Sequence, residues 1–316
     1  MNTKHLSQLP QLFRGPFLRK VAVGHYYKEL SERLATAGLT DLLKLRLGDI
    51  FQSVYEVLLQ QYRCEYVFKN ALTQKWFLSR HSMESSFVTD EFRVGENRVD
   101  LAVFSKTSVA FEIKTEFDSA ARLPSQSLAY MKVFDLVYIV TTSTMLPKLE
   151  DWIPKTVGVL ELRDAGNFKT VRSSESHANQ TDLTAAFNCL RQSERISIVE
   201  QISKRKVEVP NSRVYTECKR RFRSLLPFEA QDHVVQHIRK RPYSAASVTL
   251  MREAPEALKH AALTLRATNQ EIKQIMEELK TIPQTKTQNK KDKDDEHIFS
   301  VSEREARGTV CVENAC

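Results

Sequence analysis

Residues 98–115 read RVDLAVFSKTSVAFEIKT, and their reading decides the fold. In 109–114, Val109, Phe111 and Ile113 point to one face of an extended chain, and Ala110, Glu112 and Lys114 to the other. In the segment before it, Val99, Leu101 and Val103 share one face, and Asp100, Ala102 and Phe104 the opposite one. Ser105-Lys106-Thr107 is a turn-like break between them. A hairpin centred on Lys106 sets Asp100 directly across from Glu112, where Cβ atoms are about 4.5–5.5 Å apart. Two carboxylates that close repel unless a cation lies between them or one holds a proton. An oxygen-only donor set suits Mg²⁺ or Mn²⁺. The bland alternative is a cross-strand salt-bridge cluster on a wetted face, but Ala102 and Ala110 beside the charges speak for a sequestered site.

Working outward, Phe87–Val94 is a strand ahead of the turn Gly95-Glu96-Asn97, so three strands form an antiparallel meander. Two helices precede it, at 49–62 with an apolar stripe of Phe51, Val54, Tyr55, Leu58 and Tyr62, and at 65–79. A helix at 123–133 follows, with Pro124 in its first turn, then the apolar run Leu136–Thr141 of a strand buried on both faces, then a strand at 157–162. This order predicts a mixed α/β sheet flanked by helices. Residues 1–48 read as a helical, peripheral segment, 49–170 as the α/β domain, 180–282 as a helical basic domain broken by Pro210, Pro227, Pro242 and Pro255, and 283–316 as a disordered tail.

The chain of 316 residues carries 47 basic and 39 acidic residues, a net charge of +8. Residues 1–189 hold 23 basic against 21 acidic residues, whereas 190–280 hold 18 against 11, a surplus suited to a polyanionic partner. Lys219, Arg220, Arg221 and Arg223, with Arg239, Lys240 and Arg241, are the candidate phosphate contacts. Five widely spaced cysteines fit neither a zinc pattern nor a disulfide framework. No apolar run reaches membrane-spanning length, and the expectation is a cytoplasmic protein with no membrane contact. No Gly-rich phosphate loop or nucleophile elbow is present.

Asp100 followed by Glu112-Ile113-Lys114 across two strands, after one helix and before another, resembles the PD-(D/E)XK nuclease superfamily, although Val99 stands where its proline would be. Gln126 and Tyr130, four apart on the next helix, are similar to the Gln-x3-Tyr motif of RecB-like exonucleases. EYVFKNAL, SRHS and the stretch from EFRVGENRVD to LVYIVTT look like one poorly characterised bacterial family of restriction-endonuclease-like proteins. The resemblance implies a metal-dependent nuclease, acting on DNA before RNA, in bacterial phage defence or mobile-element biology. It implies Glu65, Asp100 and Glu112 as metal ligands, Lys114 assisting water attack, and Gln126 and Tyr130 bracing the site and the phosphate. Glu65, on the core-facing stripe of its helix, is favoured over Glu56 on a polar face, and Glu91 is a further acid near the site. His81, beside Arg80, is either substrate-facing or a structural loop histidine. Replacing Lys114 by alanine is expected to abolish cleavage and leave the fold intact. A nucleic-acid-binding or regulatory subunit that needs a partner protein encoded nearby is the alternative, an interaction protein with an acidic partner a third, and a homo-oligomer is compatible with each.

Overall fold

The computed structural model describes residues 3–284, so nearly all of the tail assigned to 283–316 lies outside the described residues. Strands β1 (Phe87–Val94), β2 (Asn97–Phe104) and β3 (Ser108–Ile113) form the expected meander. Val94 faces Asn97 across a tight turn in which Gly95 has φ +60°, a conformation that glycine takes without a Cβ penalty. Phe104 faces Ser108 across the turn at Lys106. β3 then runs parallel to β4 (Leu136–Thr141), and β4 parallel to β5 (Gly158–Leu162). A sixth strand, β6 (Phe168–Arg172), closes the sheet antiparallel to β5, and the spatial order is β1-β2-β3-β4-β5-β6. β6 escapes the sequence reading because FKTVR is short and largely exposed, with basic residues in place of an apolar face, as edge strands often are.

Both faces of the sheet are covered. One carries Val88, Leu101, Val103, Val109 and Phe111, which share a core with α1 (Gly15–Ala22), α2 (Tyr27–Thr36), α3 (Leu47–Gln61) and α4 (Glu65–Ala71). The other carries Ala102, Phe104, Ala110, Val137 and Ile139, packed with α5 (Leu123–Met131) and the later helices α7 (Leu183–Asn188), α8 (Gln192–Ser203), α9 (Asn211–Phe222) and α10 (Pro227–Ile238); a short α6 (Leu146–Leu149) joins β4 to β5. Helices α11 (Ala245–Glu253), α12 (Lys259–Thr264) and α13 (Asn269–Glu278) return to the first face. The basic stretch 180–282 therefore divides between the two layers, and the described residues up to Pro283 form one compact unit. Within the segment assigned to 1–48, the described residues 3–48 are largely helical as expected but not peripheral. Leu9, Leu12, Phe13, Phe17, Leu18 and Val21 are buried, in short helices whose apolar positions are too irregular to announce a core face.

A close approach at Gly158 locks β4 to β5. A Cβ there would meet Tyr138 ring carbons at 2.3 and 2.4 Å and the Ser174 backbone nitrogen at 2.7 Å. The backbone neighbour cannot swing aside, so Gly158→Ala should cost about 1–3 kcal/mol, read as a lower urea midpoint at unchanged slope.

Candidate active site

The sheet alternates as expected only up to the site. Leu101 pairs with Phe111, and the next step outward sets Asp100 beside Glu112. Asp90 pairs with Leu101 and Phe92 with Val99, which brackets Glu91 opposite Asp100. One rung thus carries Glu91, Asp100 and Glu112 on three adjacent strands. The backbone yields there: Glu91 has φ +49°, a left-handed conformation that costs a non-glycine residue of order 1 kcal/mol or more. Beyond Leu101, β2 is no longer paired with β3, and the Asp100 carboxylate instead accepts the Ile113 N–H at 2.6 Å. Val99 consequently belongs to the second core, with Phe92 and Val94, and does not share the face of Leu101 and Val103.

Two lysines flank this rung. Lys69, one turn after Glu65 on α4, reaches Glu65 at 2.6 Å and Glu91 at 3.1 Å. Burial disfavours its charge, but Glu65, Asp100 and Glu91 more than offset this and hold it protonated well above the ordinary lysine range. On the other side, Lys114 donates to Glu112 at 2.7 Å and to Gln126 Oε1 at 3.1 Å. The Tyr130 hydroxyl lies within hydrogen-bonding distance of Glu112 Oε2 (2.9 Å) and of the Arg98 carbonyl (2.8 Å). Glu112 and Lys114 are both buried, and burial still leaves Glu112 raised despite the lysine. Asp100 has the weakest compensation. Burial and then the Glu112 charge push its carboxyl up to about 8, and the Ile113 amide and Lys69 pull it back only in part.

The acids expected from the sequence are thereby sorted. Glu65, Glu91 and Asp100 each offer an oxygen, all within 4.8 Å of one another. Glu91 takes the place in this trio expected for Glu112, which is turned toward Lys114 and Tyr130. Glu56 is exposed and bonded to Gln52. Gln126 and Tyr130 do converge on the Glu112–Lys114 pair. Lys69 is not among the residues expected from the sequence, although its i,i+4 spacing from Glu65 is a legible pairing signal. Arg80 lies over the Trp76 ring, and His81 packs on Trp76 and Phe77, which favours a structural role for both. Removing Lys114 alone would strand a buried carboxylate, so an intact fold in Lys114→Ala is not to be expected.

The basic candidates are unequal. Arg241 is bidentate to Glu194, and Arg221 holds Glu217, Ser203 and the Arg205 carbonyl, so both serve the fold. Arg220 pairs with Glu217, Lys219 lies over the Tyr215 ring, and Arg223 and Arg239 make long contacts to Thr184 and the Ser105 carbonyl. Lys240 is exposed. Among the described residues, no helix is long and apolar enough to cross a membrane.

Comparison with known proteins adds a family. Protein cII of Enterobacteria phage P4 is 29% identical over 91 residues, which is 28% of this chain and about a third (34%) of that protein. A solved structure, the SPO1766 protein of unknown function from Silicibacter pomeroyi, aligns with 44% of this chain and 93% of its own at 13% identity, but with a TM-score of 0.30. The family described as Bacteriophage P4 protein cII matches residues 59–265, a span that contains every acid, lysine, glutamine and tyrosine of the site above. With well over half of its length inside that match, the chain belongs to the bacteriophage P4 cII protein family.

Proposed function

We propose that this protein is a divalent-metal-dependent nuclease that hydrolyses phosphodiester bonds, of DNA before RNA. The observation that carries the reading is the convergence of Glu65, Glu91 and Asp100 beside a buried lysine held by Glu112 and Gln126. The donor set fits Mg²⁺ or Mn²⁺: three carboxylates, no sulfur, and one acid whose raised proton affinity a cation would relieve. Bound there, the ion would polarise a phosphoryl oxygen and acidify a water. Lys114, fixed by two acceptors, offers its ammonium to the charge that builds on the phosphoryl oxygens or to the orientation of the attacking water. Gln126 and Tyr130 hold Glu112 and Lys114 in place. The resemblance to PD-(D/E)XK nucleases supports the same reading, and a phage family is compatible with mobile-element biology.

The test is cleavage of linear duplex, circular and single-stranded DNA and of RNA by the full chain, in Mg²⁺, Mn²⁺ or EDTA. Cutting should require the metal, and the circular substrate separates endonuclease from exonuclease action. A second reading, a nucleic-acid-binding or regulatory subunit that acts only with a partner protein, is favoured by one observation. Lys69 already supplies an internal cation to Glu65 and Glu91. Folded protein that binds DNA, cuts nothing in any metal and is indifferent to Asp100→Asn would establish that reading instead.

A further inference from the structure

β1 is the edge strand of the sheet, and its open side is bordered by three cavities that meet at Asp90. The smallest, about 360 Å³, holds the acids Glu65 and Glu91 with Lys69. The next, about 550 Å³, shares Asp90 and Glu91 with it, but its other charges are Arg93, Arg191, Arg241 and Arg266. The third, about 580 Å³, shares Arg266 and Asp90. A groove thus runs from the acidic cluster directly onto arginines. Arg93 comes from β1, Arg191 from the residue before α8, Arg241 from the segment after α10 and Arg266 from the segment before α13, so four separate parts of the chain bring like charges to one wall. Arg241 is occupied by Glu194, but Arg93, Arg191 and Arg266 are exposed. Arg266 makes no hydrogen bond or ion pair to any described residue.

Like charges gathered on a concave wall without enough acids to neutralise them are costly unless an anion joins them. Guanidinium groups match phosphate in geometry. An added peptide strand would need the free amides of β1, and the Val88 N–H is already taken by the Tyr243 hydroxyl. We propose that Arg93, Arg191 and Arg266 bind the phosphate backbone of a nucleic-acid strand beside the acidic cluster. This groove, rather than the basic faces of α9 and α10, is then the grip nearest the chemistry. The inference rests on the reading of that cluster as a phosphodiester-cleaving site.

Fluorescence anisotropy of the full chain in EDTA separates binding from cleavage. The probes are labelled single-stranded and duplex DNA and RNA oligonucleotides, titrated across a range of salt. Arg93→Gln/Arg191→Gln/Arg266→Gln should weaken binding at least about tenfold at low salt. It should also flatten the dependence of log affinity on log salt by about two for a single strand, as three lost phosphate contacts require. Lys219→Gln/Lys240→Gln, with charges far from the acids in sequence, should do much less. Circular dichroism melts confirm that each variant is folded. A folded triple variant with wild-type affinity and salt slope overturns the proposal, as does a wild-type chain that binds none of the four probes, in particular one that captures only an acidic peptide. Arginine-dependent binding without any metal-dependent cutting would leave the groove standing and remove the nuclease reading.

Discussion

Lys114→Met should lower phosphodiester cleavage by about 10²–10³-fold and should also destabilise the protein by about 3–5 kcal/mol. The first effect follows from the place of the ammonium, held by Glu112 and Gln126 beside the acidic rung. The second follows from burial. The Glu112 side chain is only 3% exposed, and without Lys114 it must either stay charged and unpaired or take up a proton. A loss of activity in this variant alone is therefore ambiguous. The double variant Glu112→Gln/Lys114→Met resolves it, because it leaves no stranded charge and keeps an oxygen for the Tyr130 hydroxyl to bond. It should recover most of the stability in a denaturant titration, yet remain as inactive as the single variant. Cleavage at the wild-type rate by either folded variant would remove Lys114 from the mechanism.

The hairpin that carries this pair was legible because alternation, turn chemistry and register all agree over residues 101–111. The Asp100–Glu112 opposition was legible for the same reason, since it needs only a two-residue period counted from Lys106. The departures begin where the period breaks. A left-handed Glu91 and the parting of β2 from β3 at Asp100 move Val99 to the other core and bring Glu91 into the acidic trio. Alternation cannot foresee either, because a two-residue period assumes extended backbone at every position, and one left-handed residue or a parted ladder changes which face the residues beyond it take. Asp90 and His260 are a further case. They lie 170 residues apart, and His260 is buried against Asp90 and Thr73 only because α12 returns to the first face of the sheet. The burial of apolar residues such as Phe17 and Val21 has the same origin, since α1 packs on α13, some 250 residues further along the sequence. Local pattern establishes the elements, but the pairing of distant helices decides which of their faces are covered.

Asp100 predicts how stability should depend on pH and metal. Its folded carboxyl is raised from an ordinary 3.8 to about 8 by burial and by Glu112. A raised acid contributes stability that is fully present below the unfolded value and is lost as pH rises through the folded one. The window therefore opens near pH 4 and closes near pH 8. Within it each pH unit should cost up to about 1.4 kcal/mol for one proton, shared with Glu112 because the two carboxylates titrate as a pair. Other acids, such as Glu29 beside Lys20 and Arg33, are shifted the opposite way, so the wild-type curve alone would mix both signs. The difference between wild type and Asp100→Asn isolates the site. In EDTA the variant should be the more stable protein at pH 8, and its advantage should shrink steadily toward pH 5. Mn²⁺ at pH 8 should reverse the order, since a cation stabilises the ionised trio and has one carboxylate fewer to bind in the variant. Thermal melts of both proteins at pH 5 and pH 8, with and without Mn²⁺, read all four corners. If Asp100→Asn tracks wild type at every corner, the acidic rung is neither strained nor a cation site, and the case for metal-dependent chemistry falls with it.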